Sequence, residues 1–233
     1  MRRTLSATYL VLVLSTSAAL AQDFDAGLRA AKSGDYATAF REWKPIAEQG
    51  NANAQTNLAM MYSDGQGVPQ DFTEAMKWYR LAAKQGNAAA QFNLGLLYYH
   101  ANGVKKDYAE AVKWFRLAAA QGTAAAQAAL GICYAVGQGV PQDYREALSW
   151  FRLGATQGNA SAQISLGFMY YGGQGVPQDF VTAYMWFNLA AASGETGASS
   201  NRDKVASKLT PSDLSMAQRR ARVCLASNYQ NCD

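Results

Sequence analysis

Histidine occurs once in the 233 residues, as His100. A single imidazole excludes zinc centres that need two or three. Charge of either sign is sparse, at 16% Asp, Glu, Lys and Arg with a formal net charge of +4. Residues 1–21 carry Arg2 and Arg3 and no acid, so the rest of the chain keeps only +2. That is too little to make nucleic acid the main ligand. No apolar run reaches the roughly 20 residues of a membrane span. Nucleophile motifs such as the strained serine elbow are missing. The composition therefore points away from an enzyme, and no cofactor or metal is expected.

Cysteine is limited to three positions. Cys133 lies in a column otherwise filled by Met61, Leu97 and Met169, which suits a small buried hydrophobe. Cys224 and Cys232, eight residues apart, could close a small loop in an oxidising compartment. Such a compartment fits the first 21 residues: Arg2 and Arg3, an apolar stretch from Tyr9 to Leu14, then Ala19-Leu20-Ala21. This is the layout of a secretory signal with cleavage after Ala21. The expected location is the periplasm or the exterior.

What the chain has in abundance is repetition. Gly50, Gly86, Gly122, Gly158 and Gly194 stand 36 apart, as do Tyr36, Phe72, Tyr108, Tyr144 and Phe180. A period of that length marks stacked helical hairpins. In the block from Asn51 to Gly86, Asn51 suits an N-cap, and Ala54, Leu58 and Tyr62 form one apolar stripe of a first helix. Gly65, Gly67 and Pro69 break that helix. Asp71 with Glu74 has the spacing of a capping box for a second helix, whose buried stripe is Phe72, Ala75, Trp78, Tyr79 and Ala82. Ala59 and its counterparts Gly95, Gly131 and Gly167 predict a close approach by a neighbouring helix, since glycine inside a helix otherwise costs about 1 kcal/mol. The Gly-x-Gly loops resemble phosphate cradles only superficially, because they lie between two helices rather than after a strand.

The period divides the chain into a signal peptide, 1–21, a degenerate N-terminal cap, 22–50, four repeats at 51–86, 87–122, 123–158 and 159–194, and C-terminal capping helices with a tail, 195–233. Thr210-Pro211-Ser212-Asp213 opens a helix to about Ala226. Its expected inner face is Leu214, Ala217, Ala221 and Leu225, with Arg219, Arg220 and Arg222 mostly outward.

Three stretches carry a family resemblance: Ala90-Gln91-Phe92-Asn93-Leu94-Gly95-Leu96-Leu97-Tyr98-Tyr99, Gly65-Gln66-Gly67-Val68-Pro69-Gln70-Asp71, and Ala75-Met76-Lys77-Trp78-Tyr79-Arg80-Leu81-Ala82-Ala83. They closely resemble the Sel-1-like repeat (SLR) family, relatives of the tetratricopeptide repeats, and residues 22–50 resemble a tetratricopeptide hairpin. The second repeat departs in its loop, Ala101-Asn102-Gly103-Val104-Lys105-Lys106. The resemblance implies an all-α, right-handed α-solenoid with a concave groove, and bacterial adaptor roles that include envelope signalling. A cysteine-rich branch with intra-repeat disulfides and penicillin binding is not supported, because those cysteines are absent.

Binding should lie where repeats differ. Two first-helix columns do so: Thr56, Phe92, Ala128 and Ile164, then Asn57, Asn93, Ala129 and Ser165. The candidate partner-binding residues are Phe92, Asn93, Tyr99, His100, Thr56, Ile164 and Tyr171, able to take a peptide or a partner helix. For Ile164, packing between repeats is the competing role. The expected function is an exported, non-catalytic scaffold that holds a protein partner. Glycan or peptidoglycan recognition through Tyr99 and Tyr171 is the alternative, and a hydrolase built on His100 fits the residues least.

Overall fold

Each 36-residue block is cut into two helices by its own capping chemistry. Asn51, Asn87 and Asn159 each accept a hydrogen bond of 2.9 Å from the backbone N–H three residues on. Each bond satisfies one of the donors that a helix start leaves open. Thr123 stands in the same place but makes no side-chain cap bond. Asp35, Asp71, Asp107, Asp143 and Asp179 cap the second helices in the same manner.

The computed structural model describes residues 24–232; the expected signal segment and its cleavage site lie outside them. The described residues form an all-α solenoid of helical hairpins with twelve helices and no strand. In chain order these are α1 over residues 24–32, α2 Tyr36–Glu48, α3 Ala52–Asp64, α4 Phe72–Lys84, α5 Ala88–His100, α6 Tyr108–Ala120, α7 Ala124–Val136, α8 Tyr144–Ala155, α9 Ala160–Gly172, α10 Phe180–Ala192, α11 Ala198–Ala206 and α12 Pro211–Ala226.

Helices α3, α7 and α9 end on left-handed glycines, Gly65, Gly137 and Gly173. The departing second loop makes the same turn, with Ala101 in the left-handed region at φ 64°. The loop sequence changes while the turn does not.

The described residues divide into two compact units between Lys106 and Asp107. In the first, α2 packs on α3, α3 on α4 and α4 on α5. Its interior holds Trp43, Ile46, Leu58, Met61, Tyr79 and Leu94. In the second, Phe115, Leu130, Phe151, Leu166, Met185 and Phe187 are buried. A methyl group on Gly131 would stand 2.6 Å from the Phe151 ring, and one on Gly167 would stand 2.9 Å from that of Phe187. The glycine column is thus the seat of an aromatic ring from the following helix. Trp78 and Trp186 are buried, whereas Trp114 and Trp150 are only half-buried. Cys133 is a buried free thiol, and burial pushes its pKa up to about 11.

A buried glutamine joins each hairpin to the one before it. Gln55, Gln91, Gln127 and Gln163 donate from Nε2 to the carbonyls of Ala47, Ala83, Ala119 and Ala155 at 3.0, 3.1, 3.3 and 3.2 Å. These acceptors lie in the last turn of the preceding helix, and each also accepts from the backbone N–H of the glycine three residues on.

Helices α11 and α12 both pack on α10. The inner face of α12 is Ala217, Ala221 and Cys224, with Leu214 partly covered. Leu225, expected inward, is 49% exposed. The 3-4-3 spacing from Leu214 brings Cys224 inward instead, and its disulfide to Cys232 closes the eight-residue loop against α12. Arg220, expected outward, is half-buried and donates to Thr182 Oγ1 at 3.3 Å. Burial alone would raise the pKa of neighbouring Asp179. Hydrogen bonds from Thr182 and Val181, together with the Arg220 charge, outweigh that and hold it below the ordinary value.

Candidate binding clefts

Positions 43, 79, 115, 151 and 187 form one column of the second helices: Trp43, Tyr79, Phe115, Phe151 and Phe187. Three of these residues floor surface clefts. Trp43 lies under a cleft of about 120 Å³ bordered by Ala31 of α1 and by Asn57 and Met60 of α3. Tyr79 lies under one of about 240 Å³ between α3 and α5. Phe187 lies under one of about 260 Å³ between α9 and α11. The geometry is common, and the residues set the chemistry.

The Phe187 cleft is aromatic, with Phe168 and Tyr171 on one side and Val205 and Lys204 on the other. Phe168 is 47% exposed and stands edge-on to Phe187, with ring centroids 5.0 Å apart.

The Tyr79 cleft differs in kind. Met60, Leu96 and Leu97 give it an apolar wall, and Ser63, Asp64, Asn93, His100 and Asn102 give it polar groups. Asp64 is the last residue of α3 and His100 the last of α5, so two helix C-termini open onto it. Tyr79 itself is 3% exposed, and among the described residues no group hydrogen-bonds its hydroxyl. Burial, then the charge of Asp64, pushes its pKa well above the ordinary phenol value. The group therefore stays protonated and can both donate and accept.

The structure divides the seven candidate residues. Asn93 and His100 line the Tyr79 cleft. Phe92 and Tyr99 are half-buried and are not lining residues, although the Tyr99 ring stands edge-on to His100 at 5.0 Å. Thr56 is corrected: it is 5% exposed and its hydroxyl donates to Ala52 O at 2.7 Å, so no partner can reach it. Ile164 is half-buried against the core of the second unit, and Tyr171 borders the Phe187 cleft. Cys224 and Cys232 are joined and buried. Sequence reasoning missed Tyr79 and Asp64. The signal was present, since Tyr79 is the tyrosine in a column that reads phenylalanine in the next three repeats.

Among the described residues, no group of three or more His, Cys, Asp or Glu side chains could hold a metal. None of their helices is long and apolar enough to cross a membrane.

The Sel1 repeat model matches residues 52–87, 88–123, 124–159 and 160–195. A solved structure of a protective antigen present in uropathogenic Escherichia coli strains, described as displaying an SLR fold, is 37% identical with a TM-score of 0.78. It aligns with 82% of this chain, which spans only 42% of that relative. A Sel1 repeat protein from Oxalobacter formigenes is 36% identical over 76% of this chain and 70% of its own, with a TM-score of 0.71. No curated protein matches the chain.

Proposed function

The chain belongs to the Sel1 repeat family, whose members are generally protein-interaction scaffolds and typically non-catalytic, and we propose that it holds a protein partner at the cleft between α3 and α5. The observation that carries this reading is Tyr79: the residue is 3% exposed, lines that cleft, and its hydroxyl has no hydrogen-bond partner among the described residues. A partner that covers the cleft must hydrogen-bond this hydroxyl or leave it unsatisfied, at a cost of about 1–3 kcal/mol. Phenylalanine at the same column in the next three repeats makes no such demand.

The first 21 residues support export, and with it a partner in the periplasm or outside the cell; the role in envelope signalling rests on the family resemblance alone. N-terminal sequencing of the processed protein should begin at Gln22.

A photo-cross-linking residue placed at Leu96, within the cleft, tests the binding site against one at Leu117, an exposed position on α6. We expect a covalent protein complex from Leu96 whose yield falls in the Asn93→Ala background. Equal yields from both positions, insensitive to Asn93, would sink the reading.

A further inference from the structure

Resting on that scaffold reading, we propose that the α3–α5 cleft receives a cationic side chain, lysine or arginine, from the partner protein. The charge balance leads there first. Asp64 is a carboxylate among the lining residues, and no lysine or arginine lines the cleft with it. Asp64 has no ion-pair partner among the described residues.

Backbone electrostatics add to the same sign. Helix C-termini carry a partial negative charge, about half an elementary charge each, and α3 and α5 both end at this cleft. An anionic group would meet one carboxylate and two negative helix ends with no counter-charge. A cation meets all three favourably.

Hydrogen-bonding capacity fits as well. The Tyr79 hydroxyl and the side-chain carbonyls of Asn93 and Asn102 are acceptors that no protein group occupies. Ammonium and guanidinium groups are donors only, with three and five N–H groups respectively. Such hydrogen bonds to a charged donor are roughly twice as strong as neutral ones. A neutral amide would leave Asp64 unused. Met60, Leu96 and Leu97 then have a role, since long basic side chains lay their methylene stems along apolar surface while the head reaches polar groups. Tyr79 at the floor selects this cleft: the floors of the other two clefts, Trp43 and Phe187, offer no hydroxyl.

The test is an amide chemical-shift titration of the full-length protein lacking only the expected leader. The probes are four capped pentapeptides, Gly-Gly-X-Gly-Gly, with arginine, lysine, citrulline or glutamate at X. Arginine or lysine peptide should shift the amides of Asp64 and of residues 93–102. Citrulline has the shape of arginine without its charge, and should bind about tenfold more weakly or worse. Asp64→Asn should weaken the basic peptide by a similar factor, and Tyr79→Phe should weaken it about threefold or more. Tyr79→Phe should leave the thermal midpoint unlowered, because phenylalanine serves at that column in three other repeats. Equal binding of citrulline and arginine, tighter binding of glutamate, or indifference to Asp64→Asn overturns the cation inference and leaves the cleft as an interface. No shift at the cleft from any peptide also overturns it. The scaffold reading falls with it only if the Leu96 cross-link is lost as well.

Discussion

Gln157 donates from Nε2 to Gln127 Oε1 across 2.7 Å, thirty residues apart in the chain. Gln85 does the same for Gln55 at 2.8 Å. Gln163 is wholly buried, and its Oε1 has no partner among the described residues. Thirty residues on stands Ser193, whose hydroxyl turns to Leu189 O instead. The Ser193 backbone, at φ −81° and ψ 3°, matches that of Gln85 at φ −83° and ψ 2°. Ser193→Gln should therefore complete the joint and stabilise the fold by about 1 kcal/mol, read as a higher urea midpoint at unchanged slope. A lowered midpoint would mean that the longer side chain does not reach Gln163.

Ala101 holds a left-handed conformation that costs an L-residue roughly 1–2 kcal/mol. Gly65, Gly137 and Gly173 serve the same turn elsewhere. We expect Ala101→Gly to raise stability by about 1 kcal/mol, part of the relieved strain being lost to the entropy of the unfolded glycine. Thermal unfolding checks this, and an unchanged or lower midpoint would contradict it.

Gly131→Ala runs against ordinary helix propensity. Alanine in mid-helix gains about 1 kcal/mol over glycine. Here the new methyl would meet the buried Phe151 ring at 2.6 Å. Overpacking should win, with net destabilisation of about 1–3 kcal/mol. Pairing the change with Phe151→Leu should recover part of the loss in a double-mutant cycle, and strictly additive losses would remove the steric explanation.

Thiol counting tests the cysteine assignment. Cys133 is buried and its pKa is pushed up to about 11, so little reactive thiolate forms near pH 8. The native protein should give no reaction with a disulfide reagent, and the unfolded unreduced protein should give one equivalent. Three equivalents after unfolding would show Cys224 and Cys232 unpaired.

Capping and period made the helices legible, because Asn and Asp before each run answer local backbone needs that any block meets alone. The family was legible for the same reason. The site was less so. Asn93 and His100, expected at positions where repeats differ, line the Tyr79 cleft, whereas Thr56 of the same set is buried, because a column that varies can still face inward. Tyr79 was passed over as core, which it is: its ring packs while its hydroxyl faces the cleft. A stripe assigns a whole residue to one side, and an amphipathic side chain belongs to both. Leu225 and Cys224 traded places for a related reason, since adjacent residues at the edge of a helix face are separated only by what they touch.

The column of Trp43, Tyr79 and Phe187 lets this architecture drift without breaking. Each ring fills the space beneath its own hairpin whichever aromatic it is, so exchanging one for another leaves the scaffold standing while rewriting what the cleft above it can hold. On the proposed reading, specificity would then change by single substitutions, one cleft at a time.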